Sequence, residues 1–130
     1  MIVDSSAILA ILFREPGFEV FDSAMAKAPN CSISAANFVE VSVVIEPRGG
    51  DRGIREWDAF IRETRLVIKP VTEQQAYIAR QAYSLYGKGR HSAGLNFGDC
   101  FSYALAKAVD EPLLFKGDDF RKTDITPAIS

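Results

Sequence analysis

Histidine occurs once in this 130-residue chain, as His91, and cysteine twice, as Cys31 and Cys100. A zinc site wants closely spaced thiol and imidazole ligands, so this supply argues against zinc. The two cysteines stand far apart in apolar surroundings and read as small buried thiols of a reduced compartment. No apolar run approaches the ~20 residues of a membrane span. The opening MIVD leaves no room for the basic and apolar regions of a signal peptide, so a cytoplasmic location is expected. A basic excess is missing too, with 15 Lys and Arg against 17 Asp and Glu, a net charge of −2. Proteins that hold nucleic acid by phosphate contacts alone usually carry such an excess. Work on nucleic acid would therefore need local basic patches, bound metal ions, or both. Repeats, low-complexity segments and linkers are absent, and the length suits one hydrophobic core. A single domain over 1–130 is expected.

What is present alternates strand and helix. MIVD (1–4) reads as a short strand ending in an acid. AILAILF (7–13) reads as helix, with Ser5 or Ser6 as its cap, and Pro16-Gly17 as its break. Phe18, Phe21, Met25 and Ala28 recur at helical spacing, and CSIS (31–34) is a brief strand with Ser34 as a cap. Phe38, Val41, Val44 and Ile45 form a helical stripe, although the β-branched VEVSVVI is compatible with a strand. Arg48-Gly49-Gly50 should stop that element before a helix carrying Ile54, Trp57, Phe60 and Ile61. LVIKPV (66–71) is a strand, Thr72 caps a helix running to Tyr86, and 86–98 is a Gly-rich basic loop. A helix over 99–110, the strand PLLF (112–115) and a last short strand in TDITPAI complete the chain. This alternation calls for an α/β fold with a mostly parallel sheet and helices on both faces.

Functional groups in open α/β sheets gather beyond the C-terminal strand ends. Asp4 ends the first strand, Asp118 and Asp119 follow PLLF, Asp99 opens the helix feeding that strand, and Glu40 lies in an otherwise apolar helix. Each has a simpler role open to it: Asp4 and Asp99 as helix caps, Asp118-Asp119 as a turn after Gly117. Glu40 is harder to dismiss, because an unpaired buried acid costs several kcal/mol. Carboxylates brought together repel and raise each other's pKa unless a cation neutralises them. An all-oxygen set suits Mg²⁺ or Mn²⁺, which can activate water and hold a phosphate oxygen. The substrate implied is a phosphodiester.

The segments MIVDSSAILAIL, SAANFVEVSVVIE, YGKGRHSAGLNFGDCFSYALAKA and EPLLFKGDDFRKTDI together resemble the PIN-domain family, and within it the VapC toxins of bacterial toxin–antitoxin pairs. The resemblance implies a three-layer α/β/α fold and a Mg²⁺- or Mn²⁺-dependent endoribonuclease, a hydrolase neutralised by a cognate VapB antitoxin. It implies a homodimer, or a hetero-oligomer with the antitoxin. Carried over by position, Asp4 and Asp99 are metal ligands, Ser6 supports Asp4, and Glu40 is the helix glutamate. Asp119 is the fourth acid, with Asp118 as the alternative. Ser5 stands where the family often has threonine.

Lys88, Arg90 and His91 form the one local basic cluster, on a loop expected to be flexible; it would touch RNA phosphates or the antitoxin, or stay solvated. His91 is a weak acid–base candidate beside a metal-activated water. Of Phe13, Phe18, Phe21, Phe38, Trp57 and Phe60, most are expected in the core, and some in an antitoxin groove. The alternative to the nuclease is a catalytically silent PIN-like binding module. A phosphoacceptor receiver domain fits poorly, because it wants paired acids after the first strand and an acceptor aspartate after a middle one, where this chain has DSS and LVIKPV.

Overall fold

The computed structural model describes residues 1–130. Its elements run β1 (Ile2–Val3), α1 (Ser5–Leu12), α2 (Phe18–Lys27), β2 (Ser32–Ser34), α3 (Ala35–Thr64), β3 (Val67–Lys69), α4 (Glu73–Tyr86), α5 (Phe97–Val109) and β4 (Leu113–Leu114), then a 3₁₀ turn at Asp119–Lys122. The four strands pair in parallel in the order β3-β2-β1-β4. Strand side chains alternate between faces, and the two shortest strands show it residue by residue. Ile2 and Leu113 enter one apolar cluster with α4 and α5, while Val3 and Leu114 enter the other with α1, α2 and α3. The result is the expected three-layer α/β/α arrangement. Cys31 and Cys100 are buried, unpaired, and in opposite clusters.

The chain crosses from β1 to β2 and β3 on one side, then returns to place β4 on the other side of β1. That reversal creates a switch point between the C-terminal ends of β1 and β4, where open α/β sheets leave a crevice. Asp4 directly follows β1, and Lys116 to Asp119 follow β4.

The segment VEVSVVI is helix, because its alternation is outweighed by a stripe that buries Val41 and Ile45. The expected stop at Arg48–Gly50 is a reversal at Gly50 (φ 56°, ψ −147°), a conformation open to glycine alone. Fifteen residues of straight helix would separate Ser42 from Trp57 by about 22 Å. Instead the Trp57 indole donates to Ser42 Oγ at 3.1 Å and stacks on Phe38 at 5.8 Å.

Three local expectations are corrected. Asp4, not Ser5 or Ser6, caps α1, its side chain accepting from the Ser6 N–H. The tail adds only a single-residue bridge, Leu113 to Pro127, made by Leu113 N to Thr126 O at 3.0 Å and Ala128 N to Leu113 O at 2.8 Å. The loop over 86–98 is tied down rather than flexible: Lys88 N donates to Leu95 O and Leu95 N to Tyr86 O, each at 2.9 Å, with Ala93 and Leu95 buried beneath. No helix is long and apolar enough to cross a membrane.

Candidate active site

Asp4 is 3 % exposed at the C-terminal end of the central strand. Its Oδ2 accepts from Ser6 Oγ at 2.6 Å and Ser6 N at 3.0 Å, and its Oδ1 accepts from Ser102 Oγ at 2.5 Å. The Ser6 hydroxyl in turn accepts from Lys116 N at 3.0 Å, which aims its proton at Asp4 and ties the β4 end to α1. Burial raises the Asp4 pKa; the hydrogen bonds from Ser102 and Ser6 oppose this, and the charge of Glu40 adds to it.

Glu40 projects from the second turn of α3, half-buried. Its Oε1 accepts from Ser5 Oγ and, at 3.2 Å, from Asn37 Nδ2. Asn37, fully buried one turn earlier, also donates to Gly98 O at 3.0 Å, clamping α3 to the start of α5. The Glu40 carboxylate lies against Gly98 so closely that a Cβ there would stand 2.6 Å from Glu40 Cδ. Gly98 is therefore a close-approach glycine.

Asp99 was expected to open its helix as the cap. Instead Asn96 is the cap, because the helix begins two residues earlier at Phe97. Asn96 Oδ1 accepts from Asp99 N at 2.9 Å while Asp99 Oδ2 accepts from Asn96 N at 3.0 Å, a reciprocal capping box. This lock fixes the Asp99 rotamer and leaves its Oδ1 without a protein hydrogen bond. The Asp99 pKa rises to about 7, first through burial, then through the negative charge of Asp4; the backbone bond from Asn96 opposes this, and Glu40 and Asp119 push it higher.

All four acids thus meet electrostatically at Asp99. Asp119 is exposed at the start of the 3₁₀ turn, anchored by buried Phe120 against Phe115 at 5.2 Å. Of the acids in GDDF, Asp119 adds its charge to those that raise the Asp99 pKa. None of the four takes part in an ion pair, the acidic partners being Glu15, Glu56, Glu111 and Asp124. Crowded acids without a protein cation, with the pKa values of Asp4 and Asp99 raised, are the electrostatic setting of a divalent-ion site. As the side chains stand, no three Asp, Glu, His or Cys groups already enclose one point as metal ligands. Both Asp4 oxygens and one Asp99 oxygen point at serine and backbone donors, so ligation would use their second lone pairs and the free Asp99 Oδ1. The donor set fits a hard, oxygen-seeking ion that keeps several waters.

The basic cluster lies apart from these contacts. His91 Nδ1 accepts from Ala93 N at 3.0 Å and the ring meets Tyr86 edge-on at 5.2 Å, which assigns it to holding the loop. Sequence reasoning missed Asn37, Gly98 and Ser102. Asn37 stands one helical turn before Glu40, and Ser102 one turn after Asp99, so a polar residue at i±3 of a suspect acid was the signal to follow.

The PIN domain profile matches residues 1–125. The chain is 50 % identical over 125 residues to "Ribonuclease VapC" of Mycolicibacterium smegmatis, covering 96 % of this chain and 97 % of that one. It is 48 % identical to "Ribonuclease VapC30" of Mycobacterium tuberculosis, at 96 % and 95 % coverage. Among solved structures, M. tuberculosis VapC20, described as a sarcin–ricin loop cleaving toxin, superposes with a TM-score of 0.77 at 17 % identity, over 96 % of this chain and 95 % of that one. A toxin–antitoxin complex from Klebsiella pneumoniae gives 0.70 at 20 % identity, over 95 % and 92 %. With family profile, close relatives and sheet topology in agreement, the chain belongs to the PIN-domain family and groups within it with the VapC ribonucleases.

Proposed function

We propose that this protein is the toxin of a toxin–antitoxin pair, an endoribonuclease that hydrolyses RNA phosphodiester bonds with Mg²⁺ or Mn²⁺. The observation that carries the reading is the meeting of Asp4, Glu40, Asp99 and Asp119 at the sheet's switch point with no lysine or arginine to neutralise them. Relatives at 45–50 % identity are named as ribonucleases, which supports it. Asp4 and Asp99 would hold the ion, and a divalent cation there supplies a water of lowered pKa and positive charge for the phosphate. Ser6 and Ser102 aim the Asp4 carboxylate and oppose the rise in its pKa that burial causes, and the capping box keeps Asp99 in place. Glu40, oriented by Ser5 and Asn37, and Asp119 at the rim complete the acidic wall. Neutralisation by a cognate VapB antitoxin, a homodimeric or antitoxin-bound assembly and a cytoplasmic location belong to the same reading.

The experiment is cleavage of a defined single-stranded RNA by the purified chain with Mg²⁺, with EDTA, and with Asp4→Ala or Asp99→Asn. Cleavage that needs the ion and vanishes in both variants is expected. An intact RNA with the wild-type protein in Mg²⁺ would return the chain to the alternative, a silent partner-binding module.

A further inference from the structure

Between α4 and α5 a groove of about 570 Å³ is lined by Arg80, Tyr83, Lys88, Asn96, Phe97 and Phe101 along with small apolar residues, and by no acid. Phe97 is 78 % exposed, although burying a phenylalanine side chain is among the more favourable contributions a single residue can make. Its ring meets that of Phe101 edge-to-face at 4.9 Å and is otherwise largely open to solvent. Around it aromatics and guanidinium groups interleave: Arg80 lies over Tyr77 at 5.0 Å, and Arg90 over Tyr83 at 5.9 Å. In a chain with two more acids than bases, this face collects cations and excludes carboxylates.

We propose that this groove is a single-stranded RNA platform on which Phe97 stacks a base flanking the cleaved phosphodiester, with Arg80, Lys88 and Arg90 on the neighbouring phosphates. The proposal rests on the ribonuclease reading and names the part of the enzyme that positions the strand. Open aromatic faces set among cations are how proteins hold unpaired RNA. Phe97 and Asp99 lie on opposite sides of the first turn of α5, about 3 Å apart along its axis. A strand with one base on Phe97 therefore crosses the N-terminal end of the helix, whose partial positive charge favours phosphate, to reach the carboxylates. A second copy of the chain suits the groove less well. In a two-fold contact the same patch faces itself, and Arg80 and Lys88 would meet an acid-free lining.

The test uses Phe97→Ala, Phe97→Tyr and Phe97→Trp in the full chain. RNA affinity is measured by anisotropy in EDTA, cleavage in Mg²⁺, and mass by sedimentation. Loss of one stacked base should weaken binding and raise KM on the order of tenfold to a hundredfold in Phe97→Ala. Phe97→Tyr should stay near wild type. The native Trp57 is buried, so the indole of Phe97→Trp serves as the exposed reporter, and bound oligonucleotide should quench it. Arg80→Ala and Lys88→Ala should each flatten the salt dependence by roughly 0.7 in log–log slope. Unchanged affinity in Phe97→Ala, or an unquenched indole, overturns the platform while leaving the ribonuclease reading intact. Dissociation of a dimer by Phe97→Ala, with or without loss of RNA affinity, would give the face to a second copy. A wild-type chain that leaves RNA uncut in Mg²⁺ is the separate failure of the ribonuclease reading.

Discussion

Replacing Gly98 with alanine tests the site through the one place where backbone and carboxylate nearly touch. The new Cβ would stand 2.6 Å from Glu40 Cδ and 2.8 Å from Oε1, well inside van der Waals contact. Glu40 must yield, since it is the end of a flexible side chain and Gly98 is held in the first turn of α5 through its carbonyl by Asn37. In leaving, the carboxylate gives up hydrogen bonds from Ser5 and Asn37. Bonds to a charged group are each worth about 1.5–3 kcal/mol, so roughly 3–6 kcal/mol is lost. Alanine's better helix propensity returns about 1 kcal/mol, and separating Glu40 from Asp4 and Asp99 returns some repulsion. The expected net cost is about 2–4 kcal/mol, a melting temperature lower by roughly 10 °C. RNA cleavage should fall as far as in Glu40→Ala, because the same acid has left the wall. The decisive measurement is a double-mutant cycle by thermal denaturation. In a Glu40→Ala background Gly98→Ala should be neutral or slightly stabilising, so the coupling equals nearly the whole effect. If the glycine substitution costs as much without Glu40 as with it, the close approach is not what makes this position glycine.

Other consequences follow from the same contacts. The folded Asp99 pKa of about 7 lies above its ordinary 3.8, so the metal-free fold holds that proton more tightly than the unfolded chain does. Its contribution to stability should be full below about pH 4 and be lost as pH rises to about 7, while Mn²⁺ affinity climbs over the same window; denaturation and calorimetry at several pH values check both. Ser102→Ala removes the buried donor to Asp4 Oδ1. It should raise the Asp4 pKa further and weaken Mn²⁺ binding about 10- to 100-fold, measured by titration near neutral pH. Trp57→Ala empties the contact that joins the two arms of α3, where the indole packs on Phe38 and Phe60 and bonds Ser42. Urea denaturation should show a loss of about 3–5 kcal/mol.

Helix periodicity made α2, α3 and α4 readable before any coordinates, because Phe38, Val41 and Ile45 mark a buried stripe whatever lies against it. The parallel sheet followed from strand–helix alternation, and the acids were visible as charges at strand ends or in apolar helices. Local sequence misjudged termini instead. Asp99 and Asn96 are both good caps, and the choice fell to Asn96 because the reciprocal bond to Asp99 forms only when the helix starts at Phe97. The loop over 86–98 reads as mobile from its glycines, yet long-range burial of Ala93 and Leu95 pins it.

By itself the sequence determined the alternating elements, the charge balance and which acids were out of place in apolar surroundings, since these depend on neighbours within a few residues. Only the tertiary structure decided that Asp4 and Ser102, 98 positions apart, share a hydrogen bond. It also decided that Gly98 must be small because Glu40 lies on it, and that the charge of Asp119 reaches Asp99. Such choices rest on distances across the sheet, and the crossover that returns β4 beside β1 sets those distances.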